Sequence, residues 1–78
     1  MTTFNISLSS INSVKNFVNT VNRYDFDVDL ASGRYIVDAK SIMGIFSLDL
    51  SKPIKLEAHC DDAAAESFKA DMKEFIVE

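Results

Sequence analysis

The stretch Tyr24-Asp25-Phe26-Asp27-Val28-Asp29-Leu30-Ala31-Ser32-Gly33-Arg34-Tyr35-Ile36-Val37 decides the fold. Its first half alternates apolar and acidic residues one for one, the period of a strand that buries one face and wets the other. Gly33 then lets the backbone take a positive φ in a tight turn, and Tyr35, Ile36 and Val37 carry strand-favouring side chains. The segment predicts a β-hairpin, whose short connection makes the paired strands antiparallel.

Towards the N-terminus, Ile11, Val14, Phe17, Val18 and Val21 recur at three- and four-residue spacing, which predicts a helix from about Asn12 to Asn22 with one apolar stripe. A serine ahead of that stripe can cap it, because its hydroxyl accepts a hydrogen bond from an unpaired first-turn amide. Before the helix, Phe4, Ile6 and Leu8 alternate with polar residues as in a half-buried strand. Beyond the hairpin, Lys40 to Leu48 reads as a short helix capped by Ser41. Pro53 then enters a strand in which Ile54, Leu56 and Ala58 alternate with Lys55, Glu57 and His59. Asp61 and Asp62 stand where negative charge favours a helix N-terminus, and Ala65, Phe68, Met72, Phe75 and Ile76 give the last helix its apolar stripe. The order is βαββαβα. It predicts one α+β domain over residues 1–78, an open-faced sandwich with a four-stranded antiparallel sheet and helices on one face.

Composition narrows the function. At 78 residues, with 47% apolar and 26% charged residues and two glycines, the chain has the composition of one ordinary globular domain and a poor endowment for an enzyme cleft. The single cysteine, Cys60, cannot form an internal disulfide, and MTTFNISLSS has neither a basic region nor an apolar core. Both point to a cytoplasmic protein with no membrane insertion. A net charge of −4 without a basic run argues against nucleic-acid binding. Asp25, Asp27 and Asp29 form an acidic run, but alternation along one strand aims such carboxylates at solvent in parallel, so no metal site is expected. His59 and Cys60 are adjacent on the fourth strand and face opposite ways, which argues against a shared metal or a catalytic dyad. No cofactor is expected.

The nine-residue segment Lys40-Ser41-Ile42-Met43-Gly44-Ile45-Phe46-Ser47-Leu48 resembles the regulatory-serine motif of Gram-positive histidine phosphocarrier (HPr) proteins. The element order, the Ser32-Gly33-Arg34 hairpin and the C-terminal helix are similar to that family over essentially the whole chain. In the family, a histidine at the N-cap of the first helix, inside Gly-x-His-x-Arg-Pro, carries the phosphoryl group of the sugar phosphotransferase system. A gap-free count back from Ser41 puts that histidine on Ser10, the arginine on Asn12 and the proline on Ser13. Serine forms a stable phosphate ester rather than a labile phosphoramidate, and the loss of arginine removes a bidentate phosphate partner. The resemblance further implies that Ser41 is the target of a regulatory serine kinase and that Ile42, Met43 and Phe46 dock protein partners, among them phosphotransferase-system components.

The reading is therefore a monomeric, non-enzymatic binding or regulatory module that has lost phosphoryl transfer. One alternative is a carrier that uses Ser10 or His59 as an unconventional acceptor. Another is a scaffold that has drifted to self-association.

Overall fold

Gly33 has φ of 59°, and the turn that it makes with Arg34 joins β2 (Val28–Ser32) to β3 (Tyr35–Asp38). A Cβ added at Gly33 would meet nothing within 4 Å, so the backbone angle rather than crowding calls for glycine. The hairpin pairs Leu30 with Val37 and Asp29 with Asp38. In the computed structural model, which describes residues 1–77, the other elements are β1 (Thr2–Ile6), α1 (Ile11–Val21), α2 (Ile42–Phe46), β4 (Ile54–Ala58), α3 (Asp62–Asp71) and β5 (Ile76–Val77). Glu78, the end of the expected domain, lies outside the described residues.

The strands form one sheet in the order β3-β2-β4-β1-β5, and every neighbouring pair is antiparallel. Alternation sorts the two faces. Ile6, Val28, Leu30, Ile54, Leu56 and Ala58 turn into the core, while Thr3, Asn5, Asp29, Lys55 and Glu57 take the opposite face. The core is closed by Val14, Phe17, Val18 and Val21 of α1, Ile45 of α2, and Ala65 and Phe68 of α3. Among the described residues no polar or charged side chain is buried. The α+β class, the antiparallel sheet and the helices on one face agree with the reading of the sequence.

Three local expectations are corrected. The sheet has five strands rather than four, because the last helix stops at Asp71 instead of running on to Ile76. The Met72 amide reaches the carbonyls of Phe68, Lys69 and Ala70, which tightens and ends the helix. Phe75 then turns inward edge-on to Phe17, its carbonyl accepts from the Ser7 amide at 2.8 Å, and Ile76 pairs with Ile6. Secondly, Tyr24 and Phe26 precede the second strand instead of lying in it. The Tyr24 amide bonds back to the Val21 carbonyl at 3.0 Å, and both rings pack edge-on against Phe68, so their alternation reports a shared aromatic cluster and not an extended backbone. Thirdly, Ile11 opens α1 but is 62% exposed, because nothing covers that side of the helix's first turn.

Tyr24 also ties the end of α1 to α3, its hydroxyl donating to the Asp71 carboxylate. Burial, and then that hydrogen bond, push its pKa above the ordinary tyrosine value. The contact therefore stabilises the fold fully below the unfolded tyrosine pKa, and this contribution is lost as pH rises through the raised native value. Phe68, fully buried among Phe4, Tyr24 and Phe26, is the costlier residue to remove. Phe68→Ala is expected to destabilise by about 3–5 kcal/mol, whereas Met43→Ala, at a position 77% exposed, should change stability by about 0.5 kcal/mol or less. Urea unfolding with an unchanged m value checks both.

Candidate functional site

Ser10 is the N-cap of α1. Its backbone is extended, with φ −145° and ψ 164°, and its Oγ accepts from the Ser13 amide at 3.1 Å while its hydroxyl donates to Ser13 Oγ at 3.0 Å. One of the unpaired first-turn donors is thus satisfied by the serine itself. The first turn has no acidic residue, and Ser10, Ile11 and Asn12 are all exposed. Ser10 therefore occupies the helix cap expected of it. Of the neighbours weighed in the sequence, Asn12 supplies no charge, and Ser13 is held in the cap.

Ser41 caps α2 in the same manner, its Oγ accepting from the Gly44 amide at 3.2 Å. The loop before it is fixed at two points. The Lys40 amide donates to Asp38 Oδ1 at 2.8 Å, and Lys40 Nζ reaches the Tyr24 carbonyl at 2.8 Å. Gly44 allows the close approach here, since a Cβ at that position would stand 3.2 Å from Ser41 Oγ and 3.3 Å from Val37 Cβ. Ser41 is exposed.

The three apolar residues assigned to docking do not share one environment. Met43 is 77% exposed and Phe46 41%, but Ile42 is half-buried and packs on the core. Within α2, Ile45 points fully inward, so a single turn presents Met43 and Phe46 outward while Ile42 and Ile45 anchor it. α1 packs beside α2 and exposes Ile11, although its spacing assigns it to the apolar stripe.

His59 lies just past β4 on the sheet face away from the helices, its amide donating to the Asp27 carbonyl at 2.9 Å. Its ring Nε2 is 3.1 Å from Asp29 Oδ2. The acidic run is thus not a set of parallel, separate groups, because the neighbouring strand brings Glu57 and His59 against Asp29. Sequence periodicity along one strand carries no signal of that cross-strand meeting. Cys60 turns the other way and packs on the core, and burial pushes its thiol pKa up, away from the reactive thiolate. Among the described residues no helix is long and apolar enough to cross a membrane.

Residues 11–78 match the family model for the phosphotransferase-system HPr component phosphorylation site. Three solved structures illustrate the likeness. The first, an HPr from Thermoanaerobacter tengcongensis, is 29% identical, with a TM-score of 0.75 over 95% of this chain and 92% of that one. The phosphocarrier HPr of Bacillus anthracis is 28% identical, with a TM-score of 0.62 over 90% of this chain and 92% of that one. The Bacillus subtilis catabolite repression protein Crh, described as a domain-swapped dimer, is 30% identical, with a TM-score of 0.65 over 94% of this chain and 88% of that one. No curated protein matches the sequence.

Each cap contributes through one accepted amide. Ser10→Ala and Ser41→Ala are each expected to cost about 0.5–2 kcal/mol, and Ser41→Asp, which keeps an acceptor, much less. Urea midpoints of the three variants check the ranking.

Proposed function

The chain belongs to the HPr family of the phosphotransferase system, and on that premise we propose that it is a member that binds and regulates instead of carrying phosphate. The observation that supports this is Ser10. The residue stands at the N-cap of α1, where the family's histidine is expected, and its hydroxyl is engaged with Ser13. A helix N-terminus with open amides welcomes an oxyanion, but a phosphate placed on Ser10 would be a stable ester with no onward path. Asn12, on the expected arginine position, offers no cationic fork to hold it.

The regulatory half of the reading rests on Ser41 and the outer face of α2. Ser41 is exposed, and its loop is held by Lys40 and Asp38. A phosphate added there brings up to two negative charges within reach of the docking residues Met43 and Phe46, and so switches a partner's access to them. Partial burial makes Ile42 a support for that surface more than a contact. A flexible methionine beside an aromatic ring gives an adaptable apolar surface for a protein partner, either a phosphotransferase-system component or a regulatory serine kinase. The setting of such a module is the cytoplasm.

His59 is a poor substitute acceptor, since it sits on the face of the sheet away from α1 and leans on the Asp29 carboxylate. Self-association is kept as a second reading because the Bacillus subtilis relative is described as a swapped dimer. Sedimentation is expected to give a monomer for this chain.

Intact-mass analysis tests the main reading. Incubation with the family's serine kinase and ATP is expected to add one phosphate, absent in Ser41→Ala. Incubation with the first phosphotransferase enzyme and phosphoenolpyruvate should add none. A phosphate gained from phosphoenolpyruvate would sink the claim that transfer is lost, and no gain from the kinase would remove the serine switch.

A further inference from the structure

The face of the sheet away from the helices carries charge in an unusual arrangement. Asp38 of β3, Asp29 of β2 and Glu57 of β4 are direct register partners, so three carboxylates stand in one row across three adjacent strands. Like charges directly opposite one another destabilise a sheet. Asp27 joins Asp29, Asp38 and His59 in lining a shallow concavity beside that row. The positive groups that face it are Lys55, whose Nζ is 3.6 Å from Glu57, and His59 when protonated.

His59 completes a mixed donor set. It follows Glu57 by two residues and therefore shares its face, and its amide bond to the Asp27 carbonyl holds it in line with the ladder. One ligand atom from each of Asp29, Glu57 and His59 lies within 4.8 Å of the other two, with Asp29 Oδ2 and His59 Nε2 already 3.1 Å apart. Ligands bound tetrahedrally to zinc at about 2.0–2.1 Å stand about 3.3–3.4 Å from one another. The hydrogen-bonded Asp29–His59 pair is close to that spacing, and a Glu57 oxygen lies within 4.8 Å of both.

We propose that Asp29, Glu57 and His59 form a binding site for a divalent transition-metal ion of the zinc class, on the side of the sheet opposite the phosphorylation and docking face. An imidazole nitrogen beside carboxylate oxygens selects borderline ions over magnesium and calcium, which take oxygen ligands. Three protein donors on an open surface leave the remaining positions to water, and the cation offsets the crowded carboxylates of Asp27 and Asp38. The site needs two strands in register, so no single stretch of sequence discloses it.

Calorimetric titration of the full chain with zinc chloride tests the proposal, with magnesium and calcium chloride run in parallel and the His59 ring nitrogens followed by NMR. Zinc is expected to bind at one equivalent and to shift His59 Nε2, with magnesium and calcium silent. His59→Ala and Asp29→Asn should each weaken zinc by at least about tenfold, and Cys60→Ser should leave it unchanged. These positions are at the surface or part-buried, and urea midpoints verify that each variant is folded. Absence of zinc binding would overturn the proposal. So would binding that survives His59→Ala, or binding lost in Cys60→Ser, which would place the ion at the thiol.

Discussion

The pairing of β2 with β4 at the centre of the sheet holds the rest of the molecule in place. It sets Val28 against Ala58 and Leu30 against Leu56 on the side that the helices cover, and Asp29 against Glu57 on the side that they leave open. A slip of one residue would exchange the faces, turning carboxylates into the core and leucines to solvent, and hydrophobic burial penalises that heavily. The Gly33 turn fixes β3 to this pair on one edge, and β1 joins β4 on the other. With the covered face settled, α1 and α3 dock their stripes, and their N-caps emerge at the surface as a consequence.

On the proposed reading, function follows from those emergent ends rather than from a cleft. Ser10 and Ser41 each begin a helix, each accept one backbone amide, and each are exposed. The chemistry available at the two positions is the same serine chemistry, since neither residue can form a phosphoramidate. The family scaffold is, on that reading, kept while the group that makes the family a relay is replaced by one that can only hold a phosphate as a stable ester. On the proposed reading, what remains is a switchable surface built on α2, with Ile45 buried to anchor the turn and Met43 and Phe46 presented outward.

Much of this was legible in the residues, and the parts that were not share a physical cause. Strict alternation around Val28 and Leu30 and the glycine turn after them disclosed the hairpin, and the stripe from Val14 to Val21 disclosed the first helix. Phe75 and Ile76 continued the helical spacing of Phe68 and Met72, so nothing local announced that the chain leaves the helix and adds a two-residue strand. Tyr24 and Phe26 alternated like strand residues because both reach Phe68, a contact made in three dimensions. The serines ahead of the first two helices read as caps from their position alone, and both are caps; only the match of Ser10 to the family's histidine came from counting back from Ser41 along a resemblance. The meeting of Asp29, Glu57 and His59 escaped because it depends on inter-strand register, which a single sequence does not encode in any local period.

The proposal that phosphoryl transfer is lost, and lost through the residues at the first helix cap, is open to one direct measurement. Radiolabelled phosphoenolpyruvate and the first phosphotransferase enzyme are incubated with the wild-type chain and with a Ser10→His, Asn12→Arg variant. The expected result is no label on the wild type and an acid-labile label on the variant. Label on the wild type would contradict the loss of transfer, and an unlabelled but folded variant would contradict the assignment of that loss to Ser10 and Asn12.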